Sequence, residues 1–399
     1  VSILKTKKSD SFLFKMALLS LSLMLTTSGA ISSTVSLMQE TFINQSATSV
    51  EALVTASNFT VMIFVLLSSF FVRAIGTRKT VLLGLVLSFV AGVFPLFSSS
   101  YALIYISRLV LGAGFGLFNS LAVSLIGEYY DGEEKAKLIG LQSAVQSAGQ
   151  TVVTFLIGIL MFNGWQIAFA ANFFGIIPLI LFFIWGPRDD EPKLEDIANF
   201  GENNSSESRK QSVNLAVILQ AIALLISFAF LMVFFLKSSI FVVEKGFDNP
   251  SFIGIVMSIY TFISIIANLF YSKFVKYTKH FSLPISYFIL GVGFILLSMT
   301  NNFTSFTIIV LFLGVGGSIL LPYSWGLIMN KAPKGSINLA ISIAMVGTNL
   351  GSFFAPYFGS IPTLLTGNDS AAFAFVFSGA VMLVFSVIYL IIGKRLTLD

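Results

Sequence analysis

Apolar residues run through this chain in stretches as long as a membrane is deep, each closed by a few turn-forming or charged residues. Two of the longest, Val81–Ser107 and Leu138–Pro187, contain no Asp, Glu, Lys or Arg. A hydrocarbon core about 30 Å thick is crossed by about 20 helical residues. Cutting the apolar stretches at their turn and charge signals predicts twelve helical spans. They cover roughly 12–37, 51–72, 80–97, 101–126, 138–162, 165–185, 213–236, 250–271, 282–299, 303–329, 336–362 and 370–393. The connections "FSSS", "NG" and "TNNF" are short enough for tight antiparallel hairpins. The alternation of apolar and polar residues that marks membrane-barrel strands is missing. The predicted fold class is an all-α membrane protein of twelve transmembrane helices.

Composition sharpens this reading. Hydrophobic residues make up 56% of the chain and charged residues 10%, against about 25% charged in soluble domains. With both termini placed in the cytoplasm, 20 of the 23 Lys and Arg residues fall in inside loops or at inside helix ends. Lys237 and Lys245 fall outside, and Arg108 within a span. Retention of Lys and Arg on the cytoplasmic side orients membrane helices. The expected location is the bacterial plasma membrane, crossed many times, with both ends inside. The first span also has the basic start, apolar middle and small-residue end of a signal peptide. However, the apolar run continues through "ISSTVSLM", and removing the span would leave an odd count. The chain has no cysteine and one histidine, His280, which sits beside lysines and reads as a loop residue. Disulfides, thiolate metal sites and a cysteine nucleophile are excluded, and neither a metal nor a cofactor is expected. The positive charge is accounted for by topology and calls for no nucleic acid.

The longest polar stretch, "GPRDDEPKLEDIANFGENNSSESRKQS", lies between spans six and seven. It is too poor in apolar residues to fold alone. The predicted organisation is an N-terminal six-helix bundle over 11–185, a flexible cytoplasmic linker over 186–212 and a C-terminal six-helix bundle over 213–394. The halves carry traces of a repeat. "VLGAGFGLFNS" at 110–120 matches "FLGVGGSILLP" at 312–322, and "FFVRAIGTRK" at 70–79 matches "FYSKFVKYTK" at 270–279. "AVQSAGQTV" at 144–152 lies on "ISIAMVGTNLG" at 341–351 through Gly149 and Gly347. Transporters are commonly built from such repeats, with the solute site where they meet.

Twelve spans, a polar linker after the sixth and a basic loop between spans two and three resemble the major facilitator superfamily over essentially the whole chain. That family's loop carries Gly-x-x-x-Asp-Arg-x-Gly-Arg-Arg. Here "IGTRKTVLLG" keeps Gly76 and Arg78, with Lys79 just beyond, while Arg73 stands at the Asp position and Ser69 at the first Gly. The resemblance makes Arg73, Gly76, Arg78 and Lys79 a conformational switch loop with an altered charge latch. "RLVLGAGFG", from Arg108 to Gly116, is similar to the family's Arg-x-x-x-Gly-x-Gly in span four. The Gly-Pro pair common in span five of its exporters is replaced by Gly149-Gln150. The resemblance implies two pseudo-symmetric six-helix bundles in a monomer. It also implies one solute site between them, lined by spans one, four, seven and ten and bordered by span five, and transport by alternating access.

Within that frame the polar residues inside spans are the candidates for function. A charge at mid-membrane costs at least about 2.5–3.5 kcal/mol on insertion scales and normally faces a cavity or a partner. Arg108 lies roughly 10 Å of helix rise inside span four. It reads as a contact for an anionic solute, as a switch residue pairing with dipoles during a transport cycle, or as an arginine tied to helix carbonyls or polar side chains. Gln142, Gln146 and Gln150 recur every four residues, which keeps them in a stripe about 80° wide that climbs about 12 Å. They read as a cavity surface or as glue between helices, where such bonds contribute about 0.6 kcal/mol on average. Asn119, Gln220, Tyr323, Trp325 and Asn349 complete the candidate site, with Thr26, Thr27 and Ser28 as further polar groups in span one. Glu40 and Glu51 stand at outer helix ends, as solvated ends or as an outer gate.

No carboxylate lies deep in a predicted span, which disfavours a proton-coupled exporter of cations. No nucleotide loop is present either, since no Lys-Ser/Thr follows the span-four glycines. No cluster of buried nucleophile, base or metal ligand suggests an enzyme. The expected partners are a small-molecule solute, anionic or neutral, and the lipid bilayer. The alternatives are a drug or metabolite antiporter driven by protons, and a non-transporting sensor or scramblase.

Overall fold

A backbone inside lipid must satisfy its own hydrogen bonds, and a helix does so within one segment. The computed structural model, which describes residues 11–25, 27–188, 212–247, 251–333 and 336–393, contains twelve helices long and apolar enough to cross a membrane. In the N-terminal half they are α1 (Phe12–Thr41), α2 (Ala47–Ile75), α3 (Thr77–Phe97), α4 (Tyr101–Tyr129), α5 (Gly132–Asn163) and α6 (Trp165–Trp185). The C-terminal half contributes α7 (Leu215–Glu244), α8 (Phe252–Leu269), α9 (Tyr271–Ser298), α10 (Phe303–Lys331), α11 (Leu339–Thr366) and α12 (Ala371–Ile392). Residues 189–211, most of the predicted linker, lie outside the described residues.

Local sequence explains where these helices begin. Asn214 and Asn302 cap α7 and α10, their side-chain oxygens accepting from the Val217 and Ser305 amides at 2.9 and 2.8 Å. Such caps satisfy donors that the first turn leaves orphaned. Gly76, at φ 88°, reverses the chain between α2 and α3, a geometry that disfavours any side chain.

Several helix boundaries differ from the predicted ones by a few residues, and three differences change the reading. Helix α2 begins at Ala47 rather than 51, and α7 runs to Glu244 rather than ending at 236. Both predicted limits were set at the first charge, whereas the helix continues past it. The basic stretch after α8 is helical over Tyr271–Thr278, with no residue buried, and turns at Lys279 before the buried part of α9.

The two six-helix bundles are related as the sequence repeat suggests. Gly149 in α5 lies against the Leu23 carbonyl of α1, and Gly347 in α11 lies against the Ala221 carbonyl of α7. The two contacts are displaced along the chain by the same number of residues. Gly112 of α4 meets Ser57 and Thr60 of α2, as Gly314 of α10 meets Tyr260 and Ser264 of α8. A methyl group at Gly149, Gly347 or Gly112 would overlap the neighbouring helix, and one at Gly314 would be tightly crowded. Small residues let membrane helices approach this closely, so the repeat is preserved where backbones touch.

Helix α1 is wound more tightly, as 3-10 helix, over Leu21–Met24 and Thr27–Thr34, and α6 over Phe169–Gly175. Such windings within a helix often mark hinges. In α1 this stretch passes the space between the bundles.

Candidate functional site

By strict alternation of the helices, the loops between α2 and α3 and between α8 and α9 lie at one end of the molecule, called the basic end. Between the bundles a cavity of about 990 Å³ occupies the half nearer that end. It is lined by α1, α2, α4 and α5 on one side and by α7, α8, α10 and α11 on the other. The volume is at the upper end of the range for small-molecule sites.

The glutamine stripe of α5 faces this space. Gln142, Gln146 and Gln150 all line the cavity, with Ser143, Ser147 and Thr154 beside them. The hydroxyls of this helix close back on their own turns. Ser143 donates to the Ile139 carbonyl at 3.3 Å, Ser147 to Ser143 at 3.1 Å and Thr151 to Ser147 at 2.9 Å. The three carboxamides make no such bond to any described residue, so their donors and acceptors are presented to the cavity rather than spent joining helices. Asn119, Trp325 and Asn349 also line it, joined by Asn58 and Asn268. The sequence reading missed those two, which lie in spans two and eight, outside the spans that the resemblance gives as lining the cavity. The side chains of Thr26, Thr27 and Ser28 lie outside the described residues.

Three expected site residues are elsewhere. Arg108 is 1% exposed, with its guanidinium 5.6 Å from the centre of the Phe169 ring of α6, inside the N-terminal bundle. The structure therefore does not bring Arg108 into one chamber with the α5 stripe. A cation over an aromatic face is attracted by the ring quadrupole. Gln220 accepts from the Tyr389 hydroxyl at 2.7 Å, joining α7 to α12. The Tyr323 hydroxyl donates to the Lys279 carbonyl at 3.2 Å, at the turn within α9.

The end opposite the basic loops is closed across the bundles. Glu51 of α2 and Lys237 of α7 form an ion pair at 2.6 Å, with the carboxylate side chain 1% exposed. Glu51 is thus neither solvated nor a bare helix end, because α2 begins a turn before it. Gly158 of α5 and Gly254 of α8 are in direct backbone contact, leaving no room for a side chain at either position. Thr55 donates to the Phe353 carbonyl at 3.3 Å, and Phe59 packs on the Phe353 ring at 5.0 Å, joining α2 to α11. Nearer the middle, the Thr151 and Thr261 hydroxyls lie 3.1 Å apart, between α5 and α8.

The loop between α2 and α3 is tied to its own bundle. Arg78 donates to the carbonyls of Phe183 at 2.6 Å, Gly186 at 2.8 Å and Pro187 at 3.0 Å, capping the end of α6. A cation there also meets the negative end of the helix dipole. Arg73 and Lys79 are exposed. Among the described residues no group of three His, Cys, Asp or Glu side chains is placed to hold a metal.

A family model described as Major Facilitator Superfamily matches the chain over residues 16–249 and 221–397. No curated protein matches it in sequence. Solved structures do match in fold. A peptide transporter POT in complex with alafosfalin superposes with a TM-score of 0.78 at 13% identity, over 98% of this chain and 96% of that one. The inward-open xylose transporter XylE from E. coli superposes with a TM-score of 0.72 at 17% identity, over 94% of this chain and 96% of that one. A D-xylose–proton symporter gives 0.70 at 16% identity, over 95% and 97%.

Proposed function

The chain belongs to the major facilitator superfamily, and on that premise we propose that it carries a small uncharged organic solute across the membrane by alternating access. The observation that carries this reading is the cavity between the bundles, which reaches toward the basic end and stops below the Glu51–Lys237 pair. With the basic end in the cytoplasm, as the Lys and Arg distribution favours, this is an inward-facing arrangement. To face outward, the bundles would rock until Glu51 leaves Lys237 and Gly158 leaves Gly254, while the α5 and α8 walls close over the basic end.

An uncharged cargo is favoured over an anionic one by the cavity surface. Among the described residues its lining includes no Lys, Arg or His, and no Asp or Glu. A charged solute would lose its water without gaining a counter-charge. Arg108, the one cation expected to meet an anion, lies under Phe169 instead.

The test is counterflow into proteoliposomes loaded with one candidate solute and exposed to its labelled form. Candidates are screened as matched neutral, anionic and cationic sets. Saturable accumulation of a neutral member, above that in liposomes without protein, is the expected result. Accumulation confined to anions would overturn the uncharged-cargo reading, and no protein-dependent accumulation of any member would overturn transport of such solutes.

A further inference from the structure

The fold around the cavity is pseudo-symmetric, but the surface it presents is not. Among the described residues, the wall from α1, α2, α4 and α5 supplies five carboxamides, from Asn58, Asn119, Gln142, Gln146 and Gln150, and neither an aromatic ring nor a methionine. The wall from α7, α8, α10 and α11 supplies the rings, Phe228, Phe235, Tyr260 and Trp325. It also supplies the methionines, Met232, Met257, Met329 and Met345. Of its two carboxamides, Asn349 already donates to the Met345 carbonyl of its own helix at 2.9 Å.

We propose that this cavity takes uncharged amphipathic solutes in one orientation. The hydrogen-bonding edge lies against the α4–α5 wall, and the apolar or aromatic part lies against the α7–α10 wall. The proposal rests on the transport reading only in taking this cavity as the solute site.

The two walls select by different physics. A site built to hydrogen-bond a ligand group strongly rejects an analogue that lacks it, whereas an apolar pocket discriminates weakly between neighbours differing by a methylene. Methionine makes the second tendency stronger, since its unbranched, polarisable side chain refits to varied shapes. Ring faces add broad apolar contact with little directional demand. The carboxamide wall therefore decides which polar groups are accepted, and the methionine–aromatic wall tolerates variety in what they are attached to.

Labelled 4-butylbenzamide, bound to the full chain in nanodiscs and corrected for empty nanodiscs, tests this. Unlabelled 4-alkylbenzamides with ethyl to hexyl tails should all compete, each added methylene strengthening competition by up to about fourfold and none abolishing it, as expected for an adaptable apolar wall. The matched 4-butylbenzoate and 4-butylbenzylammonium ions should compete at least about tenfold more weakly, for want of a counter-charge. Gln146→Leu should weaken all the benzamides by a common factor of about tenfold or more, leaving the order of tail lengths intact. Met232→Ala should alter that order while the preference for amide over benzoate stays. Gln146→Glu supplies the missing counter-charge and should raise 4-butylbenzylammonium above 4-butylbenzamide.

Saturable benzamide binding with this division of effects supports the proposal. Absence of saturable benzamide binding, equal competition by the charged analogues, or a Gln146→Leu effect that depends on tail length would each overturn it. Should binding divide as described while counterflow fails, the transport reading falls and the two-sided site stands.

Discussion

Lys237 Nζ lies 2.6 Å from Glu51 Oε1, and this contact joins helix α7 of one bundle to helix α2 of the other. Around it the bundles touch through Gly158 and Gly254 and through Thr55 and Phe353. The cavity lies beyond these contacts, toward the basic loops. A buried ion pair contributes little net stability, but removing one partner leaves the other stranded at a cost of about 3–5 kcal/mol. That cost applies only to the arrangement in which this end is shut.

The first prediction follows from this asymmetry. Lys237→Met should raise the population open at the Glu51 end on the order of a hundredfold relative to the shut one. Because the natural chain has no cysteine, Phe353→Cys provides a clean reporter, and its labelling by an impermeant maleimide from that side should rise. Exchanging the pair, Glu51→Lys with Lys237→Glu, should return labelling toward the starting level. Unchanged labelling in Lys237→Met would remove the pair from any gating role.

A second prediction concerns the glycine contact. A side chain at Gly254 would overlap Gly158 of α5, so Gly254→Val should prevent closure without disturbing either bundle internally. Labelling at Phe353→Cys should increase and counterflow should fall by an order of magnitude or more, since a transporter held open on one side cannot cycle. Normal counterflow with normal labelling would mean the bundles do not need this contact.

Arg108 carries a third. Its guanidinium lies over the Phe169 ring at 5.6 Å within one bundle, so Arg108→Met should lower thermal stability, with a loss of about 1–3 kcal/mol. The ratio of anionic to neutral solute in counterflow should not move. A selective loss of anionic competitors would return Arg108 to the solute site.

Two glutamines give a fourth, as a contrast. Gln220 is buried and accepts from Tyr389, so Gln220→Leu strands a hydroxyl and should cost about 1–3 kcal/mol, while the folded fraction keeps its activity. Gln150 faces the cavity without a partner among the described residues, so Gln150→Leu should do the reverse, lowering transport and sparing thermal stability. If the two variants behave alike, the distinction between packing and cavity amides fails.

The loop between α2 and α3 supplies a fifth. Arg78 donates to three carbonyls at the end of α6, and Arg78→Met should destabilise by about 1–3 kcal/mol. Arg73→Met and Lys79→Met remove exposed charges and should stay within about 0.5 kcal/mol. Thermal unfolding of the three variants in one detergent decides this, and equal losses would assign all three a shared latch.

Much of this arrangement was legible in the sequence. The twelve spans follow from the absence of charge over membrane-length runs, and the repeat survives at Gly149 and Gly347 because a helix crossing tolerates nothing larger there. The α5 stripe could be read because its three amides share one helical period. What could not be read depends on the meeting of distant segments. Glu51 looked like a solvated helix end and Lys237 like a loop residue, since hydropathy ends a span at its first charge. Each is instead inside a longer helix and neutralised by the other. The surroundings of Arg108 could not be read either, because the Phe169 ring that lies over it comes from α6.

The most direct test of the alternating cavity is a pair of spin-label distances measured across the two ends of the molecule. Ile43→Cys with Leu364→Cys reports on the shut end and Ile75→Cys with Tyr277→Cys on the basic end, all at exposed positions. Rocking predicts two distance populations for each pair, and Lys237→Met should shift the first pair to longer distances and the second to shorter ones. Distances that stay fixed at both ends, or that lengthen together, would contradict it.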